Sequence, residues 1–286
     1  MLPPIEQLAP SEFPHLLSEI PDPPPVLFRR GNLPPSSAMY LCVVGSRKST
    51  SYGKEVCRSL IESLGGYNIV IVSGLALGTD ALAHEVALDT GLKTVAIPGS
   101  GLGESVLYPR TNYRLAERIL SEGGTLLSEF PEDHRARPEN FPQRNRIMAG
   151  MSHAILIIEA ELRSGTMITA RLATEYNRDV LTIPGSIFSP MCEGPHSLIR
   201  LGATPVRNGD DILEALHIEK EKSRENTNHN NLSDEEKIIL TLLAEPLSRN
   251  ELTELLKKPI HEANALISAM ELKGLITERM GVFHII

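Results

Sequence analysis

Short apolar runs alternate along the chain with longer stretches whose apolar positions recur at helical spacing. The runs at 40–44 (YLCVV), 69–72 (IVIV), 94–97 (TVAI), 125–127 (TLL), 154–158 (AILII) and 180–183 (VLTI) are apolar throughout, which predicts strands covered on both sides. Between them, 52–64, 79–90, 111–122, 143–151 and 166–177 carry helical spacing. Regular strand–helix alternation predicts an α/β fold, a mostly parallel sheet with helices on both faces.

The pattern changes at both ends of this region. Residues 1–38 are proline-rich around Pro21-Asp22-Pro23-Pro24-Pro25. They read as an extended arm with a short helix near 11–17, lying against a main domain over 39–218. Residues 219–232 (EKEKSRENTNHNNL) are charged and Asn-rich with almost no apolar content, the composition of a flexible linker. Over 233–286, Ser233…Glu236 and Ser248…Glu251 each have capping-box spacing ahead of an apolar helical pattern. A third helix is expected near 260–273, after Pro259, and the tail reads as a hairpin turning near Met280-Gly281. Three helices and a hairpin is winged-helix order.

Charge and cysteine content narrow the function. With 28 Lys and Arg against 36 Asp and Glu, the formal charge is −8. A protein that coats nucleic acid over its whole surface is thereby disfavoured, and any phosphate binding must sit in a local patch. Cys42, Cys57 and Cys192 show neither paired nor metal-ligand spacing. The N-terminus lacks a basic region followed by an apolar core, and no apolar run approaches the roughly 20 residues that span a membrane. A reducing, cytoplasmic setting without membrane attachment is expected, with no cofactor.

The chemistry converges on the loops that leave the carboxyl ends of the strands, which gather along one rim of an open parallel sheet. They are Gly45-Ser46-Arg47-Lys48-Ser49, the segment 73–80 with Gly74, the glycine run Gly99-Ser100-Gly101-Leu102-Gly103, Ser128–Pro131, and 159–166 with Ser164-Gly165-Thr166. Glycines admit close backbone approach, helix N-termini offer free N–H groups, and Arg47 and Lys48 add charge, the components of a phosphate-binding groove. Against this, single glycines serve turns and single serines cap helices. The glycine run departs from G-x-G-x-x-G, with Glu104 in the third glycine's place, and a Walker lysine is lacking.

Downstream, Arg135, Arg137, Arg144 and Arg146 crowd around Phe141 in the stretch FPQRNR (141–146). Forked guanidinium donors suit phosphate oxygens and a ring stacks on bases, a pairing that points to single-stranded nucleic acid. The alternative is a surface loop whose arginines pair with Glu132, Asp133 and Glu139. Asp80, His84, Glu129 and Glu159 are the acid–base candidates near the rim, set against structural roles as a packed histidine and as carboxylates that anchor arginines or amides.

Together these segments resemble the DNA-processing protein A family (DprA, also called Smf). The matching residues are IPDPPPVLFRRG (20–31), Val43-Val44-Gly45-Ser46-Arg47 with Tyr52-Gly53, SGLALGTDALAHEVAL (73–88) and Tyr108-Pro109…Asn112. They continue through FPQRNRIMAG (141–150), IIEAELRSGTMITA (157–170), Ile183-Pro184-Gly185 and HSLIRLGA (196–203). The resemblance implies an extended Rossmann-like domain that binds single-stranded DNA, forms a homodimer and helps load RecA in natural transformation, without enzymatic activity. It places DNA around Gly45–Arg47 and Phe141–Arg146, including Asn145. It also implies a basic residue just upstream of Phe141; Pro138 stands near that place, which leaves Arg135 and Arg137 as the candidates.

Two rival readings belong to other classes. Phosphoribohydrolases on a related fold use Gly-Gly-x-Gly-Thr-x-x-Glu, but here Thr169 stands where that glutamate would be, and the second Gly-Thr pair, at 78–79, leads to Leu82. The helix near 260–273 would be the duplex reader of a winged helix, yet it carries Glu262 and Glu271 against His261 and one lysine, which fits a protein-interaction or auxiliary role better.

Overall fold

The computed structural model describes residues 2–219, 233–243, 246–279 and 281–285. The chain divides into two compact units, Met1–Lys220 and Glu221–Ile286. In the first unit the strands are β1 (Ile5–Leu8), β2 (Leu27–Gly31), β3 (Met39–Val44), β4 (Ile69–Ser73), β5 (Lys93–Ala96), β6 (Thr125–Ser128), β7 (Ala154–Ile157), β8 (Asp179–Thr182) and β9 (Thr204–Pro205). The helices are α1 (His15–Ser18), α2 (Ser51–Glu62), α3 (Thr79–Asp89), α4 (Tyr113–Ser121), α5 (Asn140–Met151), α6 (Gly165–Glu175), α7 (Glu193–Arg200) and α8 (Gly209–Ala215).

These strands form one sheet in the order β1-β2-β6-β5-β4-β3-β7-β8-β9. From β6 to β9 every pairing is parallel. The run β5-β4-β3-β7-β8-β9 has the doubly wound order of a Rossmann fold.

Successive residues of a strand point to opposite faces, and the core follows that rule. Tyr40, Cys42 and Val44 of β3 pack with Leu17, Ile147 and Ala170 on one face. Leu41 and Val43 pack with Ile61, Val86 and Ile212 on the other. Apolar runs without alternation are therefore what strands covered by helices on both sides require.

The N-terminal residues differ from the expected arm. β2 pairs antiparallel with β6, and β1 pairs antiparallel with β2. Leu17, Ile20 and Leu27 are core residues. The two arginines that mask β2 in the sequence are accommodated locally. Arg29 faces Glu6 across the β1–β2 pair at 2.8 Å, and the buried Arg30 donates through Nε to Pro3 O at 2.7 Å.

The second unit holds α9 (Asp234–Leu242), β10 (Leu247–Ser248), α10 (Arg249–Leu255), α11 (Ile260–Leu272), β11 (Ile276–Arg279) and β12 (Val282–Ile285). Both capping boxes form, at Ser233/Glu236 and Ser248/Glu251. Ile239, Leu252, Ile267, Met270 and Phe283 make its own core, and its strands run β10-β12-β11. Apart from Glu219, the linker expected over 219–232 lies outside the described residues, as does Met280 of the expected hairpin turn.

Candidate nucleic-acid interface

From β3 the chain winds outward through β4, β5 and β6, and α5 then carries it back to β7 on the other side of β3. The loops after β3 and β7 therefore diverge, and this switch point is where open α/β sheets bind ligands. A cavity of about 410 Å³ lies there, lined by Val44–Lys48, Ala76, Asp80, one face of α5 from Phe141 to Met148, Glu161, Ser164–Thr166, Thr169 and Met191.

The Gly45–Lys48 loop is held from beneath by α3. Thr79 donates to Ser46 O through its backbone N–H and its hydroxyl, both at 3.2 Å. Gly78 takes φ +79°, and a Cβ there would strike the Ser46 and Arg47 backbone, so glycine is required for both conformation and space. Ser49 does not line the cavity: its hydroxyl donates to Ser46 O and meets Thr79 Oγ1 at 2.8 Å, bracing the loop. With the backbone fixed, Arg47 and Lys48 project into solvent.

The FPQRNR stretch is helical, not a surface loop. α5 begins at Asn140, a turn before its expected start, because Pro142 falls in the first turn, where its missing N–H would be unpaired anyway. Helical periodicity then sorts the residues. Phe141, Arg144, Asn145 and Met148, at i, i+3, i+4 and i+7, face the cavity. Arg146 faces away, donating to Asp22 O at 2.7 Å and pairing with the buried Glu129. It braces α5 against the N-terminal segment and does not line the cavity. Arg137, in the segment before α5, also lies outside it, with an exposed side chain.

Arg144 is buried at the cavity floor and donates through Nη1 to Ile97 O, while its Nε has no partner within the protein. Gly74 does not line this cavity either; a Cβ there would collide with the Arg144 guanidinium, so the glycine makes room for it. Burial pulls the Arg144 pKa down and the Asp80 charge opposes this; burial pushes Asp80 up, and Arg144 opposes that in turn. Phe141 is half-buried: its ring packs over Gly99, lies 5.8 Å from the Tyr108 ring, and has the Arg47 guanidinium 5.1 Å from its centroid.

The far wall is the N-terminus of α6. Ser164 occupies the cap position without a capping hydrogen bond, and its Oγ is buried and unpartnered. Thr166 Oγ1 donates to Gly45 O at 3.1 Å and Asn145 Nδ2 to Gly165 O at 3.4 Å, which ties this end to both neighbouring walls. Met167 N donates to Ser164 O at 3.1 Å, but the Gly165 and Thr166 N–H groups at the start of α6 have no intrahelical acceptors, and with the helix dipole they favour an anion.

The acid–base candidates take structural roles. Asp80 accepts from Gly74 N at 3.1 Å and Ala76 N at 3.4 Å. Glu159 accepts from the Thr50 N–H at 2.9 Å and the Thr50 hydroxyl at 2.6 Å, fixing the start of α2. His84 is fully buried 2.6 Å from Thr94 Oγ1, and burial brings its pKa down to about 3. In the glycine run, Gly101 N donates to His134 O and Gly103 N to Glu132 O, which makes those glycines sites of close backbone packing. Ala76, Met148, Glu161, Thr169 and Met191 also line the cavity. The heptad face of α5 marks Met148 once the helix is started at Asn140; Met191 comes from a distant segment and carries no such signal. Among the described residues no group of three His, Cys, Asp or Glu is placed to hold a metal, and no helix is long and apolar enough to cross a membrane.

The chain matches the DNA recombination-mediator protein A family over residues 7–217. It is 44% identical to Protein Smf of Escherichia coli over 210 residues, 73% of this chain and 55% of that one, so it spans just over half of that relative's length. It is 42% identical to DNA processing protein DprA of Streptococcus pneumoniae over 201 residues, 70% of each chain. The X-ray structure of the Streptococcus pneumoniae protein superposes with a TM-score of 0.69 at 40% identity, covering 73% of this chain and 74% of that one. DNA processing protein A of Helicobacter pylori, whose structure was reported for its single-stranded DNA binding mode, gives a TM-score of 0.65 at 28% identity over 74% and 95% of the two chains. By sequence and by fold, this chain belongs to the DNA recombination-mediator protein A family.

Proposed function

We propose that the switch-point cavity binds single-stranded DNA and that the protein acts as a recombination mediator, helping to load RecA onto the bound strand in natural transformation. The observation that carries this reading is the exposed Arg47 guanidinium over the Phe141 ring, facing the open N-terminus of α6. Backbone phosphates meet Arg47, Lys48, the Ser164 hydroxyl and the Gly165 and Thr166 amides, and bases meet the aromatic side. Arg144 contributes positive charge from the floor. Arg135 and Arg137 are exposed at the approach to α5 and extend the phosphate path. The single-stranded DNA binding mode reported for the Helicobacter pylori relative supports the same ligand class.

A homodimer through the first unit is the natural assembly. Ile187, Phe188 and Leu201, at 79%, 90% and 81% exposure, bracket α7 and offer apolar surface for it. The second unit has the element order of a winged helix and is assigned an auxiliary or protein-interaction role in a cytoplasmic protein. The test is fluorescence anisotropy with single-stranded and duplex oligonucleotides at several salt concentrations, followed by RecA loading onto strands coated with single-strand-binding protein. Preference for single strands with accelerated loading is expected; equal or tighter duplex binding would refute the reading.

A further inference from the structure

The segment Tyr108-Pro109…Asn112 lies outside the switch-point cavity, yet it shares a wall with it. A small cleft next to the cavity is lined by Arg47, Gly74, Ala76, Leu77, Tyr108, Pro109 and Phe141. Arg47, Ala76 and Phe141 belong to both. Two apolar side chains stand open in this cleft, Leu77 at 47% exposure and Tyr108 at 45%. Their backbones are fixed from behind. Tyr108 N donates to Ser100 Oγ at 3.2 Å, and Asn112 Nδ2 donates to Leu75 O at 2.8 Å and Ala76 O at 3.2 Å. Asn112 thus clamps the tyrosine loop to the loop that carries Leu77, and the ring is presented without serving the core.

Phe141 is the more encumbered of the two rings. Gly99 packs against it, and Arg47 already lies over it. The Tyr108 ring, tilted 50° from Phe141 at 5.8 Å, keeps open surface beside Leu77. An exposed aromatic face next to an apolar side chain and a guanidinium is a stacking seat for a nucleobase.

We infer that Tyr108, backed by Leu77, is a second base platform: a strand gripped in the main cavity turns past Arg47 and stacks its next base on Tyr108. This rests on the reading of the cavity as a single-stranded DNA site. The interaction is by stacking, so the phenol hydroxyl is dispensable.

The chain contains no tryptophan, so Tyr108→Trp introduces a single fluorescent reporter at the platform. Its emission is expected to be quenched on titration with oligo-dT. By anisotropy, Tyr108→Ala is expected to weaken oligo-dT binding roughly 5- to 150-fold, the range for loss of one stacked base, while Tyr108→Phe stays within about twofold of the parent. Thermal melting of each variant verifies folding. If Tyr108→Ala binds as the parent does and the reporter is silent at saturation, while Arg47→Ala binds weakly, the platform is refuted and the cavity stands. If Arg47→Ala and Tyr108→Ala both bind normally, the cavity reading falls and the platform with it.

Discussion

The Arg47 guanidinium lies 5.1 Å from the centroid of the Phe141 ring, joining the loop after β3 to the first turn of α5. No ion pair holds Arg47 among the described residues, so the ring fixes where this charge sits. A solvent-exposed cation over a ring gains about 0.5–1 kcal/mol. That suffices to orient a flexible side chain and leaves its donors open to phosphate.

Arg47→Ala is expected to weaken single-stranded DNA binding roughly 10- to 100-fold and to reduce the slope of log affinity against log salt by about 0.7, the loss of one phosphate contact. Arg47→Lys keeps the charge but loses the planar stack and fork, so it should retain the salt slope and fall between the two in affinity. Salt-dependent anisotropy of the three proteins checks both expectations.

Arg146 marks the opposite face of the same helix. Removing it leaves Glu129 buried without its partner, so Arg146→Ala is expected to cost about 2 kcal/mol or more of stability. Affinity for single-stranded DNA, measured on folded protein well below the melting transition, should change less than about twofold, since the residue does not line the cavity. Chemical denaturation and anisotropy on one preparation separate the effects.

Ser164 is expected to behave the other way. Its hydroxyl is buried and bonds to nothing in the protein, so Ser164→Ala removes no intramolecular hydrogen bond and should leave the unfolding midpoint unchanged or slightly raised. If that oxygen meets a phosphate, affinity should fall roughly 10- to 150-fold, the range for one hydrogen bond to a charged group.

Much of the fold was legible because strands covered on both faces need no alternation, so each central strand stood out as an apolar run. β1 and β2 were hidden because a strand built around Arg29 and Arg30 has no such run; their partners, Glu6 and the Pro3 carbonyl, are visible only once the strands are paired. Within the site, Gly45–Lys48 and Ser164–Thr166 followed from the rule that loops gather at the carboxyl edge. The division of labour in FPQRNR did not, because Pro142 disguised a helix start. Read helically from Asn140, the same letters separate Phe141, Arg144 and Asn145 from Arg146. Arg144 itself combines both readings, structural through Ile97 and available to the cavity through its remaining donors.

His84 supplies a pH dependence. Its folded pKa, about 3, lies below the unfolded value near 6.5. The unfolded chain therefore binds a proton that the native state refuses. The stability His84 contributes is fully present above about pH 6.5 and declines as pH falls toward 3, on the order of 1 kcal/mol per pH unit at most. Asp80 and Glu129, raised by burial, act oppositely, since their protonation in acid relieves a desolvated charge. His84→Asn is expected to flatten the decline between pH 6.5 and about 4.5, measured by denaturation at each pH.

The location of the strand is tested most directly by photocrosslinking oligonucleotides that carry iodinated pyrimidines and identifying the modified peptides by mass spectrometry. Crosslinks should fall on the rim of the switch-point cavity, on the peptides containing Phe141 or Arg47. Crosslinks confined to α11 and the β11–β12 hairpin, with none at the rim, would contradict the assignment of this cavity as the single-stranded DNA site.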